Sequence, residues 1–186
     1  MQKPPRIRWF FSCVGVSYFC ENVVLIIKRV IRWRLKLSVF DVAAYILQKC
    51  GDMSCMKLQK LCYYAQAWSL VWDDVPLFDE DFEAWASGPV CRELFHRNER
   101  KFIVSASDER GNGSRLSDNQ KDSIDRVLDF YGDKDARWLS QLAVMEDPWR
   151  LAWRGVLIDD ELSNIVSKDS MVLYYSSILK EHTRTF

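Results

Sequence analysis

Ser54-Cys55-Met56-Lys57-Leu58-Gln59-Lys60-Leu61-Cys62-Tyr63-Tyr64-Ala65-Gln66-Ala67-Trp68 is the stretch on which the fold turns. Leu58, Leu61, Cys62, Ala65, Trp68 and, one turn on, Trp72 recur at helical spacing and make one wide apolar face. Lys57, Lys60 and Tyr64 fall on another side. Ser54 can accept a hydrogen bond from the first-turn N–H groups, and neither Gly nor Pro interrupts the chain before Pro76. The stretch therefore predicts a long, largely buried helix over about 55–72, with other elements packed around it.

Working outward, Ser38 with Asp41 resembles a capping box with Asp in place of Glu. Val39, Val42, Ala43, Ile46 and Leu47 then give an amphipathic helix that Gly51 can terminate. Asp73-Asp74-Val75-Pro76 reads as a turn. Phe82, Ala84 and Ala86 alternate with Glu83 and Trp85, which predicts a short strand. Pro89 is expected in the first turn of a short helix that ends near Asn98. Phe102–Ser105 reads as a second strand and Asp108–Ser114 as a polar loop or hairpin tip. Ser117 with Gln120 opens a helix closed by Gly132, and Asp133 or Lys134 starts the next. Glu146-Asp147-Pro148 breaks that helix ahead of a short segment through Arg154. Ser167 caps the last one, which carries Met171, Tyr174, Tyr175, Ile178 and Leu179 inward and frays after Lys180. The expected fold is mainly α (α+β): a compact helical domain around a central buried helix, with a small two- or three-stranded antiparallel sheet.

The chain has 186 residues, 48% hydrophobic and 28% charged, a globular composition of about one domain. Its net charge of zero hides an asymmetry. Residues 1–37 carry eight basic residues against Glu21 alone, net +7, which leaves residues 38–186 at −7. An acidic body argues against direct nucleic-acid binding, which needs Lys and Arg clusters, and suits a basic protein partner. Residues 1–37 are expected to form a separate basic, apolar extension ahead of a domain spanning 38–186. Trp9–Cys20 and Val23–Ile27 approach the length of a membrane span, but Glu21-Asn22 interrupt it. The extension has three readings: a start codon placed too early, a membrane-associated helix with Lys28–Lys36 at the cytoplasmic surface, or a docked interaction segment. A membrane contact is expected only if the extension is native.

The six cysteines form no Cys-x-x-Cys pair, and neither His96 nor His182 lies at zinc spacing from one, so no metal or other cofactor is expected. Gly111-x-Gly113 lacks the Lys-Ser or Lys-Thr of a phosphate cradle and reads as a flexible hairpin tip. A Cys91–His96 dyad is conceivable from separation alone, but a packed thiol and a solvated imidazole explain both residues without catalysis. Asp79-Glu80-Asp81 and Asp159-Asp160-Glu161 read as solvated acidic loops, or as docking patches for a basic partner. Trp85, Trp149 and Trp153 are core residues or, where exposed, interface anchors.

Several motifs in order carry a family resemblance. Val39–Leu47 and Met56–Trp68 are followed by Pro76-Leu77-Phe78 and Phe82–Val90. Val127–Gly132, Trp138-Leu139-Ser140 and Glu146-Asp147-Pro148-Trp149-Arg150 complete the series. Residues 38–180 thereby resemble the Panacea domain, the SocA-like antitoxin family also found in phage-associated GepA proteins. Ala143-Val144 stands where family members commonly carry Thr-His, so no role of that His carries over. The resemblance implies a mainly helical, non-enzymatic, cytoplasmic antitoxin that binds and blocks a cognate toxin encoded by an adjacent gene. It also implies an alternative, an adaptor that delivers the toxin or a phage or host protein to a cellular protease. A hydrolase using Cys91 or an acidic site is the competing class. Lys57, Lys60, Tyr64, Trp85, Glu146 and Trp149 are the candidate partner-binding residues.

Overall fold

The computed structural model describes residues 37–156 and 164–184. The expectations for residues 1–36 and for the acidic run Asp159-Asp160-Glu161 lie outside the described residues. Helix α1 is Val39–Cys50. Strand β1 is Met53–Ser54, followed by the central helix α2, Cys55–Trp72. Strands β2 (Phe82–Trp85) and β3 (Gly88–Cys91) precede helix α3 (Arg92–Asn98) and strand β4 (Ile103–Val104). Helices α4 (Asp118–Tyr131), α5 (Ala136–Met145) and α6 (Asp147–Val156) follow, then strand β5 (Ile165–Val166) and helix α7 (Lys168–Arg184). The protein is mainly α, with α2 at its centre and small antiparallel sheets beside it.

Capping chemistry sets most of the helix starts. The Ser54 hydroxyl accepts the Lys57 N–H at 3.2 Å. Ser117 and Gln120 exchange bonds at the start of α4, and the N–H of Gly132 closes that helix on Leu128. The Asp41 carboxylate accepts the Ser38 N–H at 3.0 Å. The same carboxylate takes the Asn112 N–H and the Arg115 guanidinium, each at 2.8 Å, and so ties the 108–115 loop to α1. That loop is consequently no hairpin tip. A Cβ on Gly111 would lie 1.8 Å from the Phe40 carbonyl oxygen, and Gly113–Arg115 form a 3-10 turn.

Three further expectations are corrected. Pro89 lies in β3, paired with Ala84 across a tight turn at Ala86-Ser87, and the helix begins only at Arg92. As an edge strand, β3 tolerates a residue without an N–H. The cap of α5 is Asp135, which accepts the Trp138 N–H at 2.7 Å, and neither Asp133 nor Lys134. Helix α7 continues past Lys180 to Arg184.

The strands make two sheets. β1 pairs with β4, and β3-β2-β5 form a three-stranded antiparallel sheet. The sheets and helices enclose α2 on all sides: α1, α3, α4, α5, α7, β1 and β3 pack on it. Every residue from Leu58 to Ala67 is buried. The side carrying Lys60 and Tyr64 is therefore as deep as the apolar face. Burying Leu58 and Leu61 contributes about 1.5–3 kcal/mol each. Enclosure of this stretch leaves its polar side chains to find partners inside the fold, and the Tyr63 hydroxyl is the exception, with none among the described residues.

Candidate functional site

The polar residues of α2 find those partners on the segments that wrap it. Gln59 forms a two-way pair with the Cys91 backbone, donating to its carbonyl at 3.0 Å and accepting its N–H at 2.9 Å. Gln66 repeats the device two turns on. It donates to the Phe78 carbonyl at 2.9 Å and accepts the N–H groups of Leu77 and Phe78 at 2.9 and 3.3 Å. Both glutamines lie in the stretch that opened the sequence reading, yet neither was picked out there. Two amides seven residues apart in an otherwise apolar helix were the available signal.

Lys60 is fully buried and donates to the Pro89 carbonyl at 2.9 Å. Burial lowers its amine from the ordinary 10.5 to about 7. The close approach needs Gly88: a Cβ there would meet the Lys60 Cε at 3.1 Å, and its φ of +99° is one that L side chains rarely adopt. One turn along, the Tyr64 ring stacks on Tyr131, 4.2 Å between centroids and 9° between planes. The buried Glu146 carboxylate accepts the Tyr175 hydroxyl at 2.6 Å and the Tyr64 hydroxyl at 3.4 Å. Burial raises Glu146 from the ordinary 4.5 to about 7, against the two phenols, which pull it down. Trp149 stacks on Trp153 and donates its indole N–H to the Trp85 carbonyl at 3.0 Å. Lys57, half-buried, donates to the Gly132 carbonyl at 2.7 Å, a favourable place for a cation just past the end of α4.

The six sequence candidates thus lie around one seam. Lys60, Tyr64, Glu146 and Trp149 are inside it, and Lys57 and Trp85 are at its margins with part of their surface exposed. The remaining chemistry-bearing residues are accounted for locally. The buried Cys91 thiol, pushed up to about 12 by burial, donates to Glu93, while the exposed His96 faces Glu99. Asp79–Asp81 is gripped from within the chain: the Lys168 ammonium bonds the Asp79 carbonyl at 2.9 Å and the Asp81 carboxylate at 2.6 Å. Among the described residues no three His, Cys, Asp or Glu side chains stand close enough to hold a metal ion. No helix among them is long and apolar enough to cross a membrane.

Among the described residues, concave surfaces open beside the seam at two places. A cleft of about 240 Å³ lies between the start of α2, the β2–β3 turn and α3, with Met56, Trp85, Leu94 and Phe95 in its wall. In it, Trp85 packs edge-on against Phe95 at 4.8 Å, with its indole N–H on Glu83, which Arg92 holds through two bonds. A larger groove, about 410 Å³, lies at the carboxyl end of α2 between α4 and α7. Trp68 and Trp72 stack along it at 4.9 Å. Sequence reasoning singled out neither surface.

Most of the residues that build this seam fall within a match to a known family. The family model for the antitoxin SocA-like, Panacea domain matches residues 58–150, half of the chain, and the chain belongs to that family. The match runs from Leu58 in α2 to Arg150 in α6 and so contains Lys60, Tyr64, Gly88, Pro89, Glu146 and Trp149. The chain matches no curated protein and no solved structure.

Proposed function

We propose that this protein is an antitoxin that neutralises a toxin protein, encoded by an adjacent gene, by binding it directly in the cytoplasm. Membership of the antitoxin SocA-like family carries the reading. The site geometry supports a binding role over a catalytic one. Lys60, Tyr64, Glu146 and Cys91 could carry acid–base or nucleophilic chemistry, but all four are buried and bonded within the fold. Lys57 and Trp85 keep exposed surface and are the sequence candidates that can meet a partner without opening the core; the other four act by holding the domain together.

Co-expression with the adjacent gene tests the proposal. The expected result is growth arrest by that gene alone and full growth when this protein is present. A neighbour that is harmless alone, or that stays toxic beside this protein, overturns the proposal. Partner half-life separates direct blockade from the adaptor alternative: blockade leaves the toxin's half-life unchanged, whereas an adaptor shortens it only while the protease is present.

A further inference from the structure

We propose that the groove between α4 and α7 is the surface on which the partner docks, and that it takes an apolar anchor side chain with a carboxylate beside it. The inference rests on the antitoxin reading and names the surface that would perform it. Trp68, Trp72, Val127, Phe130 and Ile178 give the groove its apolar wall. Phe130 is 63% exposed, so a large apolar side chain stands open to solvent in the wall of the groove. Its volume of about 410 Å³ falls within the range of ligand pockets, about 300–1,000 Å³. Clustered aromatic side chains of this kind supply most of the binding energy at protein interfaces.

The chemistry of the occupant follows from two groups. Arg126, the only charged residue lining the groove among the described residues, lies over the Trp72 ring at 5.7 Å. Among the described residues no carboxylate lies within ion-pair distance of it. A guanidinium held near an aromatic ring still has N–H groups to present as a fork, the geometry that binds a carboxylate. Second, the hydroxyl of Tyr131, a buried residue that lines the groove, accepts the Trp68 indole N–H at 3.4 Å, and its own proton has no acceptor among the described residues. Both groups are donors, so the segment that fits must bring acceptors together with its apolar side chain. The −7 charge of residues 38–186 attracts a basic partner at long range, and the groove selects a carboxylate-bearing anchor within it. The smaller cleft makes a different demand, for a donor, at the buried Asn98 Oδ1, unpaired among the described residues. Its Lys101 is paired with Asp108, its Glu99 with His96, and its Cys55 thiol donates to the Lys101 carbonyl at 3.0 Å.

The test is calorimetric titration of the full chain with the purified product of the adjacent gene. Phe130→Glu and Arg126→Glu alter the groove, and Phe102→Glu, at an 83% exposed site that lines neither concavity, is the control. Each groove variant is expected to weaken binding at least tenfold with its melting temperature unchanged, while Phe102→Glu binds as the parent does. Exchanging the partner's Asp and Glu residues for Lys one at a time is expected to give one variant that restores binding to Arg126→Glu. Groove variants that bind as tightly as the parent overturn this inference and leave the antitoxin reading standing. Weakening by Phe130→Glu alone overturns the carboxylate. A parent that does not bind at all overturns the antitoxin reading itself, and the groove assignment with it.

Discussion

Along α2, Gln59, Lys60, Tyr64 and Gln66 all have polar atoms bonded to the protein's own backbone or side chains. Farther along the same helix, Trp68 and Trp72 stack beside a groove that nothing fills among the described residues. The difference teaches how a buried helix is to be read. Polar residues in its middle do not form a face awaiting a partner. They dictate which loops and hairpins dock on it, because each needs a specific carbonyl or N–H. The aromatic turn makes no such demand, so it can be left as a surface. If this division holds, substitutions in the middle of α2 should act on stability and substitutions around its carboxyl end should not.

Gln66→Ala is the strongest way to break that comparison. It orphans the Leu77 and Phe78 N–H groups and the Phe78 carbonyl together. At about 1–3 kcal/mol for each of the three buried groups left unpaired, the expected loss is about 3–9 kcal/mol. Chemical denaturation measures it. A loss below about 1 kcal/mol would mean that water or another side chain replaces the amide, and that the 73–78 turn does not depend on α2.

The pH dependence of stability sharpens the comparison next. Lys60 titrates near 7 when folded and near 10.5 when unfolded, so from pH 7 upward the unfolded chain binds more protons and stability rises. Glu146 has the opposite sign: its stabilising contribution is fully present below 4.5 and is lost as pH rises to about 7. The joint contribution of the two groups therefore has its minimum near pH 7, with each limb changing by at most about 1.4 kcal/mol per pH unit. The alkaline limb is best read between pH 7 and 9. Above that range the buried Cys62 and Cys91 thiols, both raised by burial, oppose it. Lys60→Met should flatten the alkaline limb, and Glu146→Gln, which can still accept the Tyr175 hydroxyl, the acid limb. Denaturation series from pH 5 to 9 on the parent and both variants check this. An alkaline limb that persists in Lys60→Met would place its source elsewhere.

Local chemistry made the helices legible in the sequence: Ser54, Ser117 with Gln120 and Gly132 mark ends that depend only on neighbouring residues. Strand β2 was legible from its alternation. Pro89 was misread because a Gly-Pro pair suits a helix start as well as an edge strand, and only pairing with Ala84 decides between them. The depth of Lys60 was hidden for the same reason. Periodicity reports the face that a helix offers, but the hairpin closing over Lys60 arrives from a distant part of the chain. The groove was less legible still, since nothing in the spacing of α4 tells that α7 leaves Phe130 in water.

Gly88→Ala tests the seam on a smaller scale. The methyl group would meet the end of a side chain that can shift, so most of the cost lies in the positive φ, about 1–2 kcal/mol. The effect should shrink in the Lys60→Met background if the contact at 3.1 Å contributes, because a shift of Lys60 stretches its bond to the Pro89 carbonyl and Met has no such bond to lose. Equal losses in both backgrounds would assign the whole penalty to the backbone of the β2–β3 turn.

The smallest expected effect is also the one that decides whether the groove is surface or fold. Phe130→Ser removes a ring that is already 63% exposed, and Arg126→Ala removes a cation–π contact at an exposed position. An exposed contact of that kind contributes about 0.5–1 kcal/mol at most, and a solvated ring gains little from the fold that water does not already give it. Both variants should therefore keep the parent's melting temperature to within about 2–4 °C, the shift expected for about 1 kcal/mol in a chain of this size. A loss comparable to that of Gly88→Ala would show that Phe130 and Arg126 buttress α4 against α7. The groove would then belong to the same closed system as the middle of α2, and the two ends of the helix would no longer differ in kind.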